Sequence, residues 1–257
     1  MKLSLVQQQI IWGNKTQNLA TFAQEAHALY GNTDIVVLPE MFSTGFCVSR
    51  PELAETPDGE TMKEVKRWAS EGNFAVVGSF MATDGKKFYN RAFFCQPNGT
   101  ISFADKHHLF IGDEQKYFTS GKNILDVTFR NVKFRVLVCF DVRFPVWSRN
   151  MNGNDYDVLI YVANWPQDRI ETWDILLKAR AIENQAYVCG VNVVGKDNYN
   201  IYHCGHSTLL DTRGRTTITF TENELATKTG EIDIEKQNQI RKRLPFGAVN
   251  DQFSISK

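Results

Sequence analysis

A cysteine at the end of an apolar run is the residue of this chain best placed to do chemistry. The run Val132-Lys133-Phe134-Arg135-Val136-Leu137-Val138 alternates in part, as a buried strand does. Cys139 follows it directly, and Phe140-Asp141-Val142-Arg143-Phe144-Pro145 then breaks into a polar turn. A thiol held by a rigid strand and reachable from a cleft is placed to act as a nucleophile. Its reactive form is the thiolate, which a nearby cation such as Arg143 favours. Two more strand ends carry matching groups. Glu40 follows Ile35-Val36-Val37-Leu38-Pro39 and sits in the apolar setting Leu38-Pro39-Glu40-Met41-Phe42. A carboxylate kept from water has a raised pKa and can act as a base near neutral pH. Lys106 follows Ile101-Ser102-Phe103-Ala104-Asp105. A thiol, a carboxylate and an amine at three strand ends suggest a hydrolase that works through a covalent intermediate.

Each residue also has an ordinary explanation. Buried cysteines mostly pack as small apolar side chains, and Cys95 and Cys189, inside apolar strand patterns, are read that way. Glu40 alone could be a carboxylate at a strand terminus, and Lys106 alone a solvated lysine. His107-His108 with His203, Cys204 and His206 could be assembled into a metal site on paper. Neighbours on a strand face opposite ways, so neither cluster chelates well and no metal is expected. The sequence has no P-loop, G-x-G-x-x-G, H-E-x-x-H or G-x-S-x-G, since Gly205-His206-Ser207-Thr208-Leu209 lacks the final glycine.

The elements that must position these residues alternate between strand and helix. Strands are expected at 2–8, 34–38, 74–81, 90–96, up to about 106, 124–129, up to Cys139, 158–162, 187–193 and near 229–233. A hairpin is expected from 206–211 and 216–220 about Thr212-Arg213-Gly214. Helices are expected from Asn14 to Tyr30, over about 60–71, near Pro145–Asn152 and over 171–185. Two comparable halves of this kind imply layered sheets covered by helices.

Composition narrows the class. The 257 residues are 42% apolar and 12% aromatic, enough for a large core, and no linker divides them, so one domain over 1–257 is expected. Twenty-nine acidic and 29 basic residues leave no net charge, which argues against nucleic acid or a membrane surface as the main partner. No apolar run approaches a membrane span, and the start is too short an apolar stretch for a signal peptide. The five cysteines, with long spacings and no C-x-x-C, fit a reduced, cytoplasmic protein better than a disulfide framework.

Three boxes in this order, Leu38-Pro39-Glu40-Met41-Phe42, Asp105-Lys106-His107-His108-Leu109-Phe110 and Val138-Cys139-Phe140-Asp141-Val142-Arg143-Phe144-Pro145, resemble the Glu–Lys–Cys triad of the nitrilase, or carbon–nitrogen hydrolase, superfamily. The similarity runs from Leu3 to about Asp233. Tyr161-Val162-Ala163-Asn164-Trp165-Pro166 and Ala179–Val188 share it and point to the omega-amidase branch. The resemblance implies an α/β fold, a four-layer α-β-β-α sandwich that pairs into a homodimer, with 145–152 and 171–185 at the dimer surface. It implies Cys139 as nucleophile, Glu40 as general base and Lys106 as oxyanion stabiliser, with no metal or organic cofactor. Glu114, seven residues before Gly121, matches a second glutamate of the family, with Asp113 as an adjacent competitor. The implied substrate is a small-molecule amide, the terminal amide of 2-oxoglutaramate or 2-oxosuccinamate. An N-carbamoyl or other aliphatic amidase, a catalytically silent binding protein and a redox-sensing thiol protein are the alternatives. Substrate contacts are expected from the Phe140 backbone, from Arg143 (or else a structural ion pair with Asp141 or Glu183), and from Phe42 and Trp165, with Phe46 and Phe110 as further walls.

Overall fold

The computed structural model of the protein describes residues 1–151, 155–251 and 253–254. Its order is β1 (Lys2–Gln7), α1 (Lys15–Ala28), β2 (Ile35–Val37), α2 (Glu60–Gly72), β3 (Ala75–Thr83), β4 (Phe88–Cys95), β5 (Ile101–Asp105) and α3 (Asp113–Tyr117). Then come β6 (Leu125–Phe129), β7 (Val132–Val138), α4 (Pro145–Ser148), β8 (Val158–Val162), α5 (Ile170–Asn184) and β9 (Tyr187–Val191). The chain continues through β10 (Val194–Lys196), β11 (Tyr202–Cys204), β12 (Thr208–Leu210), β13 (Thr216–Thr219), β14 (Ala226–Glu231) and α6 (Ile234–Arg243).

Among the described residues the strands form two six-stranded sheets, β14-β1-β2-β3-β4-β5 and β13-β12-β9-β8-β7-β6, with β10-β11 as a separate pair. The sheets stack face to face. Leu3, Leu5, Val37, Val77 and Phe94 from the first meet Phe129, Phe134 and Val136 from the second in one buried cluster. On the outer face of the first sheet, Leu19, Phe22 and Ala26 of α1 and Met62, Val65 and Trp68 of α2 pack on Val36, Val76 and Phe93. Helix α5 covers the second sheet through Trp173 and Leu177, which approach β9 so closely that a Cβ at Gly190 would collide with both. The layers are α-β-β-α, as the resemblance implies.

Strand direction decides where the chemistry gathers. Strands β1, β2 and β3 are parallel, and β3-β4-β5 are successively antiparallel, so β5 runs with β2. The chain beyond Val37 and the chain beyond Asp105 therefore leave the first sheet at the same edge. Strands β7, β8 and β9 are parallel, which brings the ends at Val138 and Val162 to one edge of the second sheet. The crevice outside the carboxyl ends of such strands is where α/β proteins place ligands.

Several elements depart from expectation. The helix expected near Pro145–Asn152 is only Pro145–Ser148, because Arg149 leaves it with extended backbone; Asn152 lies outside the described residues. The last strand starts at Ala226, since it pairs along the whole of β1. Helix α6 was not expected. Asp233 caps it by accepting from Lys236 N, and Arg241, Lys242 and Arg243 fill its last turn. Those end signals are in the sequence, but only Gln237 is buried, so no apolar stripe marks the helix. No helix among the described residues is long and apolar enough to cross a membrane. All five cysteines are buried free thiols. Cys189 lies level with Ile160 and Val136, one and two strands away, well below the strand end that carries Cys139.

Candidate active site

Lys106, one residue past β5, reaches into the space between the sheets. Its Nζ donates to Glu40 Oε1 at 2.9 Å and to Glu114 Oε2 and Oε1 at 2.9 and 3.1 Å. All three side chains are fully buried. Lys106 is fixed at its backbone as well, donating to Asn90 O while its own carbonyl accepts from Gly121 N, both at 2.8 Å. Gly121 packs so tightly on Asp105 O that only a residue without a Cβ fits there.

Glu40 lies in the turn after β2. Met41, next to it, holds a left-handed φ of 46°, a conformation that non-glycine residues adopt at a cost. The turn is pinned by Met41 N donating to Ser79 Oγ at 2.9 Å and by Asn164, which grips Glu40 from the second sheet. The Asn164 backbone N–H donates to Glu40 Oε2 at 2.8 Å, and its side-chain amide donates to the Glu40 carbonyl. Glu114, on the short helix α3, also accepts from Phe110 N and Asn90 Nδ2. Its neighbour Asp113 is exposed, so geometry separates the two competitors.

Cys139 opens a 3-10 turn, Cys139–Arg143, with φ 43°. A second left-handed residue at a strand end turns this thiol out of the sheet. Asp141 anchors the turn: its carboxylate accepts from Val138 N at 3.1 Å, His108 N at 3.0 Å and His108 Nδ1 at 2.8 Å. Behind it, Arg180 Nη2 donates to Val142 O at 2.6 Å.

Burial pushes the Cys139 thiol well above its usual range, and the Glu40 charge adds to this, against Lys106 and the Asn164 N–H. Burial also opposes the charge on Lys106, yet Glu114 and Glu40 outweigh it and the ammonium is held more firmly than usual. Burial raises Glu114 although Lys106 opposes it, and Glu40 raises it further. The resting centre is a neutral thiol beside an ammonium clamped by two carboxylates, so the thiol needs a base when it attacks.

Cys139 and Lys106 share a pocket walled by Phe46, Phe110, Phe140 and Trp165. Arg143 also lines it, with its guanidinium 5.2 Å from the Trp165 ring centroid. Arg143 makes no ion pair with Asp141, which is taken by His108 and Val138, or with Glu183, which pairs with Arg180. Phe42 is a correction: it points away from the pocket into the core under α1 and α2, against Phe22, Trp68 and Phe93. Its side chain takes the opposite face of the sheet from Glu40 once the turn is complete.

Three of the histidines are engaged elsewhere. His107 stacks on Trp147, His108 binds Asp141, and His206 binds Asp174. Among the described residues no three His, Cys, Asp or Glu converge as metal ligands. Asn90 and Arg169 were missed in the sequence, and His203 was weighed there only as a metal ligand. Arg169 and His203 line the pocket, and Asn90 lies beneath the carboxylates. An asparagine inside an apolar strand was the one signal available for Asn90.

A carbon–nitrogen hydrolase family model matches residues 2–242. The chain is 37% identical to an omega-amidase YafV of Yersinia enterocolitica, covering 99% of this chain and 98% of the relative. It is 31% identical to a 2-oxoglutaramate amidase of Bacillus subtilis over 95% of each. The crystal structure of XC1258 from Xanthomonas campestris, a CN-hydrolase superfamily protein with an arsenic adduct in its active site, superposes with a TM-score of 0.97 at 32% identity. That likeness covers 100% of this chain and 99% of the other.

Proposed function

The chain belongs to the carbon–nitrogen hydrolase family, and from that premise we propose that it is a single-domain thiol amidase acting on the terminal amide of a small 2-oxoacid. The products are the dicarboxylic 2-oxoacid and ammonia, with 2-oxoglutaramate and 2-oxosuccinamate as substrates. The observation that carries this reading is a buried Glu40–Lys106–Glu114 cluster beside Cys139, in a pocket whose Arg143 has no carboxylate partner among the described residues. The names of the two relatives support the substrate class.

Cys139 sulfur attacks the amide carbon as Glu40 takes the thiol proton. The new oxyanion meets the Lys106 ammonium and the Phe140 N–H, which lies in the first turn of its helix, where amides lack an intrahelical acceptor. Preorganised donors of this kind are each worth about 2.7–4 kcal/mol in the transition state. The C–N bond then breaks, and protonated Glu40 returns its proton to the departing nitrogen, which leaves as ammonia. Water attacks the thioester with Glu40 again accepting a proton, the C–S bond breaks, and the thiol recovers that proton. Glu114 holds Lys106 in place. These steps need no metal or organic cofactor.

Ammonia release from 2-oxoglutaramate, 2-oxosuccinamate and the neutral butyramide tests the reading, with the two acids preferred and silence on both overturning it. In Arg143→Gln the KM for 2-oxoglutaramate rises about 10- to 100-fold, the scale of a lost charge-assisted contact, while butyramide is little affected. An equal effect on both amides removes Arg143 from substrate binding.

The proposal extends to a cytoplasmic homodimer. Val146 on α4 and Ile175 and Ile182 on α5 are half or more exposed and support an apolar contact there. Sedimentation as twice 29.4 kDa is expected, and sedimentation as a single chain overturns it.

A further inference from the structure

We propose that Asn90 is a positioning residue for this centre: its one side-chain amide holds both buried carboxylates and leaves Glu40 Oε2 as the atom that takes the thiol proton. The inference rests on Cys139 as nucleophile and Glu40 as base, and it is independent of which amide is hydrolysed.

Asn90 lies within β4 and is fully buried. Its Nδ2 carries two hydrogens and has two acceptors, Glu40 Oε1 at 2.7 Å and Glu114 Oε1 at 3.0 Å. The other end of the amide is also committed. Asn90 Oδ1 accepts from Ser79 Oγ at 2.9 Å, and Ser79 Oγ accepts from Met41 N at 2.9 Å. Accepting from Met41 leaves the one hydroxyl proton of Ser79 available for Asn90 Oδ1. The carboxylates fix which end of the amide faces them, since a flipped amide would set an oxygen against two acidic groups. The Asn90 backbone carbonyl accepts from Lys106 N at 2.8 Å. One residue therefore touches Glu40, Lys106 and Glu114, and through Ser79 it holds the left-handed turn at Met41.

The two oxygens of Glu40 are thereby made unequal. Oε1 accepts from both Lys106 Nζ and Asn90 Nδ2. Among the described residues Oε2 accepts from the Asn164 N–H alone. The oxygen with fewer donors is thus the one with a lone pair left for the thiol proton. A carboxylate that loses a donor holds its negative charge less readily. Without Asn90, both buried carboxylates lose a donor, and Glu114, which burial already raises and the Asn90 amide helps hold down, is raised further. Among the described residues the titratable groups facing Glu40 are Lys106, Glu114 and Cys139, with His203 contributing from β11.

The test is the pH dependence of Cys139 alkylation by iodoacetamide, read by mass on the Cys139 peptide of the full-length protein. In Asn90→Ala the acid limb moves up by about one pH unit, as expected for losing one hydrogen bond to a charged carboxylate. The kcat for the amide falls about 30-fold while KM stays within about threefold, the pattern of an interaction needed in the transition state. A purely structural asparagine would lower the melting temperature and leave the limb where it is. A limb that superimposes on wild type therefore overturns the proposal. Should Asn90→Ala not fold, Ser79→Ala decides: the limb moves upward and Ser79→Thr restores it, whereas an unmoved limb overturns the proposal. Silence on every amide would sink the substrate reading alone, because the alkylation profile does not depend on it.

Discussion

Cys139→Ala has no measurable turnover of 2-oxoglutaramate, a loss of about 10⁴-fold or more in kcat/KM. Lys106, Glu40 and the pocket walls remain, so the variant still binds substrate. What it lacks is the atom that forms the acyl-enzyme. Removal of a covalent nucleophile also disables the groups that serve it, which is why the loss exceeds that of any single oxyanion donor. The fold is expected to tolerate the change. Alanine is close in size to cysteine and meets the same left-handed backbone at φ 43°, so the melting temperature stays within about 3 °C. Wild-type enzyme quenched in acid during turnover should carry the acyl group on the Cys139 peptide, and the variant should carry none. Turnover surviving in Cys139→Ala, at any rate near wild type, excludes the thioester route.

Lys106→Met produces the largest loss of stability. The ammonium sits between two fully buried carboxylates, and removing one partner of a buried charge cluster leaves the others uncompensated, at about 3–5 kcal/mol. For a chain of this size that lowers the melting temperature by roughly 10 °C, and hydrolysis is lost with the oxyanion donor. The deficit has a pH signature. Burial already holds Glu114 above the usual carboxylate range, even with Lys106 opposing it. Without Lys106 that upward shift grows. A carboxyl whose pKa is higher folded than unfolded binds more protons folded, so its stabilising contribution is present at low pH and is lost as pH rises above the unfolded carboxylate range. Lys106→Met should therefore be nearly as stable as wild type near pH 4 and carry its full deficit by about pH 8. Adding Glu114→Gln restores much of the melting temperature and none of the activity. A deficit independent of pH would show that Lys106 acts by packing and not by charge.

Much of this centre is written in short local signals. The apolar run before Cys139, the apolar setting of Glu40 and the strand before Lys106 each mark a strand end, and strand ends are set by local periodicity and turn residues. The same holds for most elements, whose cores are plain in runs such as Val158–Val162. Helix α6 escaped because it buries only Gln237, and β10 and β11 because three residues are too few to show a period.

The sequence by itself determined which groups could do chemistry here and on which elements they would stand, because residue type and strand pattern are local properties. Tertiary structure alone decided that Glu114 and not Asp113 joins Lys106, that Phe42 goes to the core, and that Arg143 faces the pocket with no ion-pair partner among the described residues. It also decided that Met41 and Cys139 are left-handed and that Asn90 and Asn164 hold the base. The physical reason is distance along the chain. Asn164 meets Glu40 across 124 residues and Asn90 meets it across 50. Such meetings depend on strand order and on how two sheets stack, and neither is encoded in the residues that flank the site.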